Sequence, residues 1–348
     1  MRVAIVTSKA TSLTNVGRDI AYVLEHYGHA PRLMRFPPAG DTMTKLADAV
    51  IMIYPCSPLY ITPYFLRYRD YRRYSNMKCV FYTTIEGEVT QHFIQDWMRY
   101  ELEFIAVSKY VRDKLRNAGF KVIDVIPHGV VKEDVENARK MVGTVRKTLE
   151  EKFPNRILFG VIAFWHIRKG LYLLVKAVKK LSSKRKDFIV YLITNTITRK
   201  YLEGGENLFI DTVFGKRSRA EILAWMGALD YLIIPSLAEG FCLPLLEANV
   251  MGTPVIHADY PPLNEISDSS RNLVFPYENV VYEDTGEGID FELHYYNPDD
   301  LMSMMHKAID LKKEEPEKYE EMCSLNRKIF PRFSALKVYK RFLKYLEG

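Results

Sequence analysis

The stretch Glu239-Gly240-Phe241-Cys242-Leu243-Pro244-Leu245-Leu246-Glu247 sets two carboxylates eight residues apart, with a glycine and a proline between them. It follows Tyr231-Leu-Ile-Ile-Pro235, an apolar run with the length of a buried strand. Pro244 suits the first turn of a helix and Gly252 the position just past its end. Gly240 allows the backbone to turn tightly and to approach a ligand closely. A helix beginning here turns the amides of Phe241, Cys242 and Leu243 outward, and unpaired amides together with the helix dipole attract an anion. Glu247, expected in the first helical turn, and Glu239, in the loop before it, would flank that anion. Carboxylates accept hydrogen bonds from hydroxyls, so the pattern suits a phosphate carrying hydroxylated sugars on both sides. The other reading is a capping pair on a surface helix. Arg168-Lys169-Gly170 opens a second helix. Cations at a helix start oppose the dipole, which argues for an anionic partner there.

The elements that must position these residues alternate along the chain. Apolar, β-branched runs at Val3–Thr7, Val50–Tyr54, Val80–Thr83, Phe104–Val107 and Val122–Ile126 are interleaved with helical patterns or loops. Ser108 caps a helix reaching Asn117, with Gly119 past its end. A charged, helix-prone stretch, Lys132 to Lys152, interrupts the rhythm. It restarts with runs at Ile157–Ala163, Phe188–Thr194, Tyr231–Pro235 and Pro254–Ala258, and with helices near 169–182, 216–228 and 244–251. The alternation predicts βαβ units and parallel sheets, that is, two doubly wound α/β domains over 1–150 and 151–325, followed by a C-terminal helix over 326–348. Ligands of such sheets bind beyond the carboxyl ends of the strands, and with two domains the cleft between them is the expected site.

Bulk properties narrow the class. The chain has 348 residues, net charge +6, 48% hydrophobic and 26% charged residues, an ordinary globular balance long enough for two cores. No apolar run reaches the roughly 20 residues that span a bilayer, and the N-terminus reads as a strand rather than a signal peptide. Cys56, Cys79, Cys242 and Cys323 form no CxxC pair, so neither a disulfide framework nor a zinc site is indicated and a cytoplasmic protein is expected. No nucleic-acid motif, Walker A loop, strand-linked GxGxxG, GxSxG elbow or Asp-x-Asp is present. His26 and His29 lack a third ligand, so no metal is expected.

The glutamate stretch and the landmarks around it resemble the retaining GT-B glycosyltransferases of the family-four type, or group 1. The motif Glu-Gly-Phe-Gly-x-Pro-x-x-Glu follows a Pro-Ser strand end, as at Pro235-Ser236. Further landmarks occur in order: Phe104-Ile-Ala-Val-Ser108 with Gly119-Phe120, Ile126-Pro-His-Gly-Val130, Arg168-Lys169-Gly170, Gly252-Thr-Pro-Val-Ile256 and Asn264-Glu265-Ile266. The likeness covers about 1–345 and is densest over 104–266. It implies a GT-B fold of two Rossmann-like domains and sugar transfer from a nucleoside-diphosphate sugar to an acceptor hydroxyl, with retention, no metal and no cofactor beyond that co-substrate. Glu247 would hold the donor ribose and Glu239 the transferred sugar. Lys169 and the amides of Phe241, Cys242 and Leu243 would bind the diphosphate, with Arg168 beside them, Gly240 would let the backbone approach the donor, and Phe214-Gly215 would pack the base. Glu239 and Lys169 are the catalytic candidates, acting by positioning and by stabilising the departing diphosphate. Domain closure would complete the site, and in this fold the C-terminal helix over 326–348 would return to pack on the first domain. Two residues depart from the pattern: Phe164 stands where an arginine is usual, and Cys242 replaces the second glycine. They motivate the alternative of a degenerate protein that binds sugar nucleotide or glycan without turnover. A phosphorylase lacks room for its inserted scaffold, and an epimerase lacks an identifiable acid and base pair.

For the acceptor or sugar side, in the first half, the candidates are Gly17 in a loop expected before the first helix, Thr84 and Glu86 in the loop after a strand, and His128 in Pro-His-Gly. Each reads equally as a packed or solvated residue. The acceptor itself (glycan, lipid or protein) is not specified. Tyr64 to Tyr74 interleaves arginines with tyrosines, either a solvated face with snorkelling arginines or a peripheral membrane contact.

Overall fold

The structure, a computed structural model, describes residues 1–199, 202, 205–284, 286 and 288–347. It divides into two compact units. One comprises Met1–Val131, Tyr282–Glu292 and Pro331–Gly348, and the other Lys132–Val281 and Leu293–Phe330.

The first unit is built on strands β1 (Arg2–Thr7), β2 (Ala30–Met34), β3 (Ala49–Pro55), β4 (Lys78–Thr84), β6 (Glu103–Ala106) and β7 (Lys121–Val125), in the order β2-β1-β3-β4-β6-β7, with every neighbouring pair parallel. Helices cover both faces, so β1, β3, β4 and β6 are nearly continuous buried runs. A short strand β5 (Gly87–Val89) lies outside this sheet.

The second unit repeats the plan with β8 (Ile157–Ile162), β9 (Phe188–Ile193), β10 (Leu208–Asp211), β11 (Tyr231–Ile234), β12 (Val255–Ala258) and β13 (Leu273–Phe275). They run parallel in the order β10-β9-β8-β11-β12-β13. Numbered within the unit, that is 3-2-1-4-5-6, with the direction of winding reversing between β8 and β11. At this switch point the loops diverge and leave a crevice. At the opposite end of the sheet, buried Asp230 ties the elements together. It accepts the Leu158 amide at 2.7 Å, Arg146 at 2.7 Å and Lys312 at 2.6 Å.

The boundary expected near 150 lies at Val131/Lys132 in this division. The charged helix Lys132–Lys152 packs along Arg219–Ala228, with Val142 against Gly227, and Arg146 bonds the Ala228 carbonyl at 3.1 Å. Two segments from late in the sequence complete the first unit. Within the hairpin strands β14 (Asn279–Asp284) and β15 (Ile289–Tyr295), residues 289–291 pair antiparallel with β5, and Lys114 bridges Glu88 and Glu292. The segment expected as one helix over 326–348 is instead divided among short helical pieces, Phe330–Phe333, Ala335–Tyr339, Lys340–Phe342 and Leu343–Leu346, because it also pairs with the chain at Val130, where the Val130 amide meets the Phe333 carbonyl at 2.8 Å and the Ala335 amide meets the Val130 carbonyl at 2.9 Å.

Candidate functional site

The residues singled out in the second half leave the two strands at its switch point. From β8 the chain passes Phe164 and His166 into a tight turn, Ile167–Lys169, closed by Gly170 at φ 58°. A Cβ at Gly170 would lie 1.9 Å from the Pro235 carbonyl oxygen, so glycine is required by conformation and by space. From β11 the loop is clipped to this turn, with the Leu237 amide donating to the Arg168 carbonyl at 2.7 Å. Tyr296 bonds the Pro235 carbonyl at 2.9 Å and Tyr260 the Ser236 carbonyl at 2.8 Å, and the His294 amide bonds the Leu237 carbonyl at 2.8 Å. Three successive carbonyls are thus satisfied, and the loop is fixed on both sides.

This clip brings Lys169 onto Glu239 at 2.5 Å, with Arg168 at 3.8 Å from the other carboxylate oxygen. Burial pushes the Glu239 carboxyl up, but Lys169 and Arg168 more than offset it and hold it below the ordinary range. His166 accepts the Arg168 amide on Nδ1. Burial and the two adjacent cations depress its pKa to about 4, so at neutral pH the ring carries no charge.

The signature helix runs Leu243–Met251, with Pro244 in its first turn and Gly252 left-handed at its end. Its entrance is unusual: Cys242 is left-handed, φ 74° and ψ 72°, where a side chain costs about 1–2 kcal/mol. Burial, with Glu239 and Glu247 nearby, pushes this thiol well above its ordinary range and keeps it neutral. Glu247 is the fifth residue of the helix, one residue past the first turn expected for it. The reason is that the helix starts at Leu243, after the left-handed cysteine. Glu247 is buried and meets Arg219 at 3.1 Å, and Arg219 also faces Asp134 at 3.4 Å. Phe214 packs edge-on to Phe164 with ring centroids 5.9 Å apart, and left-handed Gly215 turns the chain after it.

The structure therefore gathers Arg168, Lys169, Glu239 and Cys242 into one cluster. Glu247 joins it through Cys242, and Phe214 through Phe164 and His166. Arg219 carries no motif. A capping box, Ser218 with Glu221, marks its helix start, but its partners lie 85 residues before it and 28 after it in the numbering.

The four candidates of the first unit occupy separate settings. Gly17 lies inside the helix Thr11–His26, not in a loop before it. A Cβ there would be 3.1 Å from Thr7, so the glycine permits close helix–sheet packing. Thr84 ends β4, and its carbonyl accepts the Cys56 amide at 2.8 Å. The Glu86 carbonyl accepts the Glu292 amide at 3.2 Å. His128 is buried, with Nδ1 2.9 Å from the Tyr82 hydroxyl. At the switch point of this unit, beside β1 and β3, stands a residue without a motif: Arg35 donates to the Ser8 carbonyl at 2.8 Å and the Thr14 hydroxyl at 3.0 Å. In the Arg/Tyr helix Pro58–Arg73, Arg72 pairs with Glu103 at 2.9 Å, Arg73 with Glu101 at 3.4 Å, and Arg69 stacks over Trp97. Among the described residues no helix is long and apolar enough to cross a membrane.

Comparison with known proteins fits this geometry. The profile of the family described as glycosyl transferases group 1 matches residues 155–284. The chain is 30% identical over 348 residues to the uncharacterized glycosyltransferase 335 of Sulfolobus islandicus rod-shaped virus 1, covering 99% of this chain and 100% of that protein. It is 27% identical over 181 residues to the uncharacterized glycosyltransferase MJ1178 of Methanocaldococcus jannaschii, covering 51% and 46% of the two chains. Among solved structures, Anabaena HepE in complex with UDP-glucose superposes with a TM-score of 0.71 at 15% identity, over 100% of this chain and 99% of that one. Sucrose-phosphate synthase of Thermosynechococcus elongatus superposes with a TM-score of 0.71 at 13% identity, over 100% and 98%. The fold is GT-B.

Proposed function

The chain belongs to the group 1 glycosyltransferases, and from that membership we propose a retaining, metal-independent transfer of a sugar from a nucleoside-diphosphate sugar to an acceptor hydroxyl. The observation that carries the reading is the pairing of Lys169 and Arg168 with Glu239 beside the entrance of the signature helix. A diphosphate arriving there meets two cations and the helix start, and as Lys169 turns to it Glu239 becomes available to the hydroxyls of the transferred sugar. His166 is neutral at working pH, so Arg168 supplies the charge that Phe164 does not. Two protein cations balance the departing diphosphate without a metal, and its own oxygen takes the acceptor's proton as the acceptor attacks from the same face. The protein's part is positioning and charge stabilisation. Phe164 and Phe214 give the base an apolar wall, and no cofactor other than the donor is required. We assign the acceptor to the first unit, where Arg35, Ser8 and Thr14 converge at the switch point. Cytoplasmic placement belongs to the same reading, supported by four free cysteines.

The test is a thermal-shift panel of UDP, GDP, ADP and their common sugars, without metal, on wild type and Glu247→Ala. It is followed by NMR of the sugar released when the bound donor hydrolyses slowly without acceptor. One nucleotide should raise the melting point of wild type and barely that of the variant. The released sugar should keep the donor's anomeric configuration, and Lys169→Ala should slow its release by about 10²–10³-fold. Inverted product, or release that stops on chelation, would refute the retaining or metal-free step. The buried Cys242 side chain at the helix entrance favours the second reading, binding without turnover, which would appear as a thermal shift with no released sugar.

A further inference from the structure

We propose that Arg219 is a positioning residue of the donor site: paired with Glu247 inside the fold, it keeps that carboxyl ionised at neutral pH and so able to accept hydrogen bonds from the hydroxyls of a bound nucleotide. The functional half of this statement rests on the reading of Glu247 as a donor-binding residue. The ionisation half rests on the geometry.

Arg219 opens the helix Arg219–Ala228, held in place by the reciprocal Ser218–Glu221 capping box. A cation at that position opposes the helix dipole, so the fold must supply negative charge, and two carboxylates converge on the guanidinium. Glu247 lies 3.1 Å from Nη2 and Asp134 3.4 Å from Nε. The pair with Glu247 is well shielded, the two side chains being 15% and 11% exposed. The charged and titratable groups facing Glu247 are Arg219, Asp134 from the helix Lys132–Lys152, and Cys242 at the entrance of its own helix. Elsewhere on the signature helix, Asn249 bonds Asn272 at 3.0 Å. At its far end Arg327 packs against Gly252, and His257 on β12 bonds Ser267 at 2.7 Å. Burial pushes the Glu247 carboxyl up, Arg219 pulls it down, and Asp134 pushes it up again, leaving it above the ordinary range. Without Arg219, two upward influences remain and the pull is gone. The ionised form accepts hydroxyls on both oxygens, whereas protonation turns one of them into a donor, so a higher pKa weakens binding from the acidic side upward.

The experiment is calorimetric titration of wild type, Arg219→Met and Asp134→Asn with UDP, GDP and ADP between about pH 6 and about pH 9. Arg219→Met should bind about tenfold or more weakly at neutral pH and recover toward wild type at the alkaline end. Asp134→Asn should keep its affinity to lower pH than wild type. A loss in Arg219→Met that is equal at every pH, no loss at all, or an unmoved acid limb in Asp134→Asn would overturn the proposal. Infrared spectra of the ligand-free proteins separate it from the donor assignment. At neutral pH a protonated-carboxyl band should appear in Arg219→Met and be missing from wild type and from Arg219→Met/Glu247→Gln. If wild type binds none of the nucleotides, the donor reading fails while this band still decides the ionisation. A band already present in neutral wild type, or none in Arg219→Met, rejects the role of Arg219.

Discussion

Glu239 and Glu247 share a side chain and a depth of burial, yet they titrate in opposite directions. Burial raises both. Lys169 and Arg168 overcome it at Glu239, whereas Arg219, opposed by Asp134, does not at Glu247. The sign of each contribution to stability follows from linkage. Glu239, held below the ordinary range, stabilises the fold at neutral pH, and that contribution is lost as pH falls through its lowered pKa. Glu247, held above the range, opposes folding at neutral pH, and the opposition is relieved as pH falls through its raised pKa. Glu239→Gln leaves two largely buried cations short of a partner and should lower stability by about 1–3 kcal/mol. Glu247→Gln, which mimics the protonated form and leaves Arg219 with Asp134, should be neutral or slightly stabilising while weakening nucleotide binding about tenfold or more. Urea unfolding of both variants at neutral pH checks the pair, and a Glu247→Gln protein less stable than Glu239→Gln would contradict it. A stabilising loss of function is the behaviour expected where a carboxylate is kept buried for its ligand.

At the scale of elements, the site depends on how the turn after β8 is clipped to the loop after β11. Gly170 sits at that clip, left-handed and against the Pro235 carbonyl. Alanine there meets backbone rather than a movable side chain, so the turn must shift as a whole and carry Arg168 and Lys169 with it. Gly170→Ala should cost about 1–3 kcal/mol of stability and weaken nucleoside-diphosphate binding at least as much as Lys169→Ala does, measured by calorimetry on the folded fraction. Binding left intact would show that the clip does not position the cations. By contrast, left-handed Gly28 has open space around it. Alanine there carries only the conformational cost, which separates the strain of a left-handed residue from the loss of the site.

At the scale of the whole molecule, what the sequence discloses follows from which contacts are local. Strands buried on both faces, such as Phe188–Ile193, are continuous apolar runs and are visible without a structure. The edge strands Ala30–Met34, largely exposed, and Leu208–Asp211 carry no such signature. The pairing of β5 with residues 289–291 joins positions about 200 apart, beyond any periodicity. In the site, the two glutamates and the Arg-Lys-Gly turn are legible from spacing, whereas Arg219 is defined by distant partners. The left-handed backbone falls at Cys242, a residue type with no preference for it. The C-terminal tail is the largest of these long-range features, and it yields the last prediction. Its amides and carbonyls pair with Val130, the Tyr339 hydroxyl accepts the Gly129 amide at 3.0 Å, and Phe342 packs edge-on to Tyr82 at 5.2 Å. Asp124 bonds Tyr345 at 2.9 Å and pairs with Lys344 at 3.0 Å and Arg341 at 2.5 Å. Phe333, Val338, Tyr339, Phe342 and Leu346 are all buried. At about 1.5–3 kcal/mol for each large apolar side chain, their removal costs as much as the whole stability of an ordinary domain, about 5–15 kcal/mol. Truncation after Phe330 should therefore unfold the first unit and leave the sheet of the second protected. Hydrogen exchange read strand by strand checks this. Protection should vanish from β4, β6 and β7 and persist in β8, β9 and β11, and unchanged protection in β6 and β7 would mean that the tail is an accessory rather than part of the core it covers.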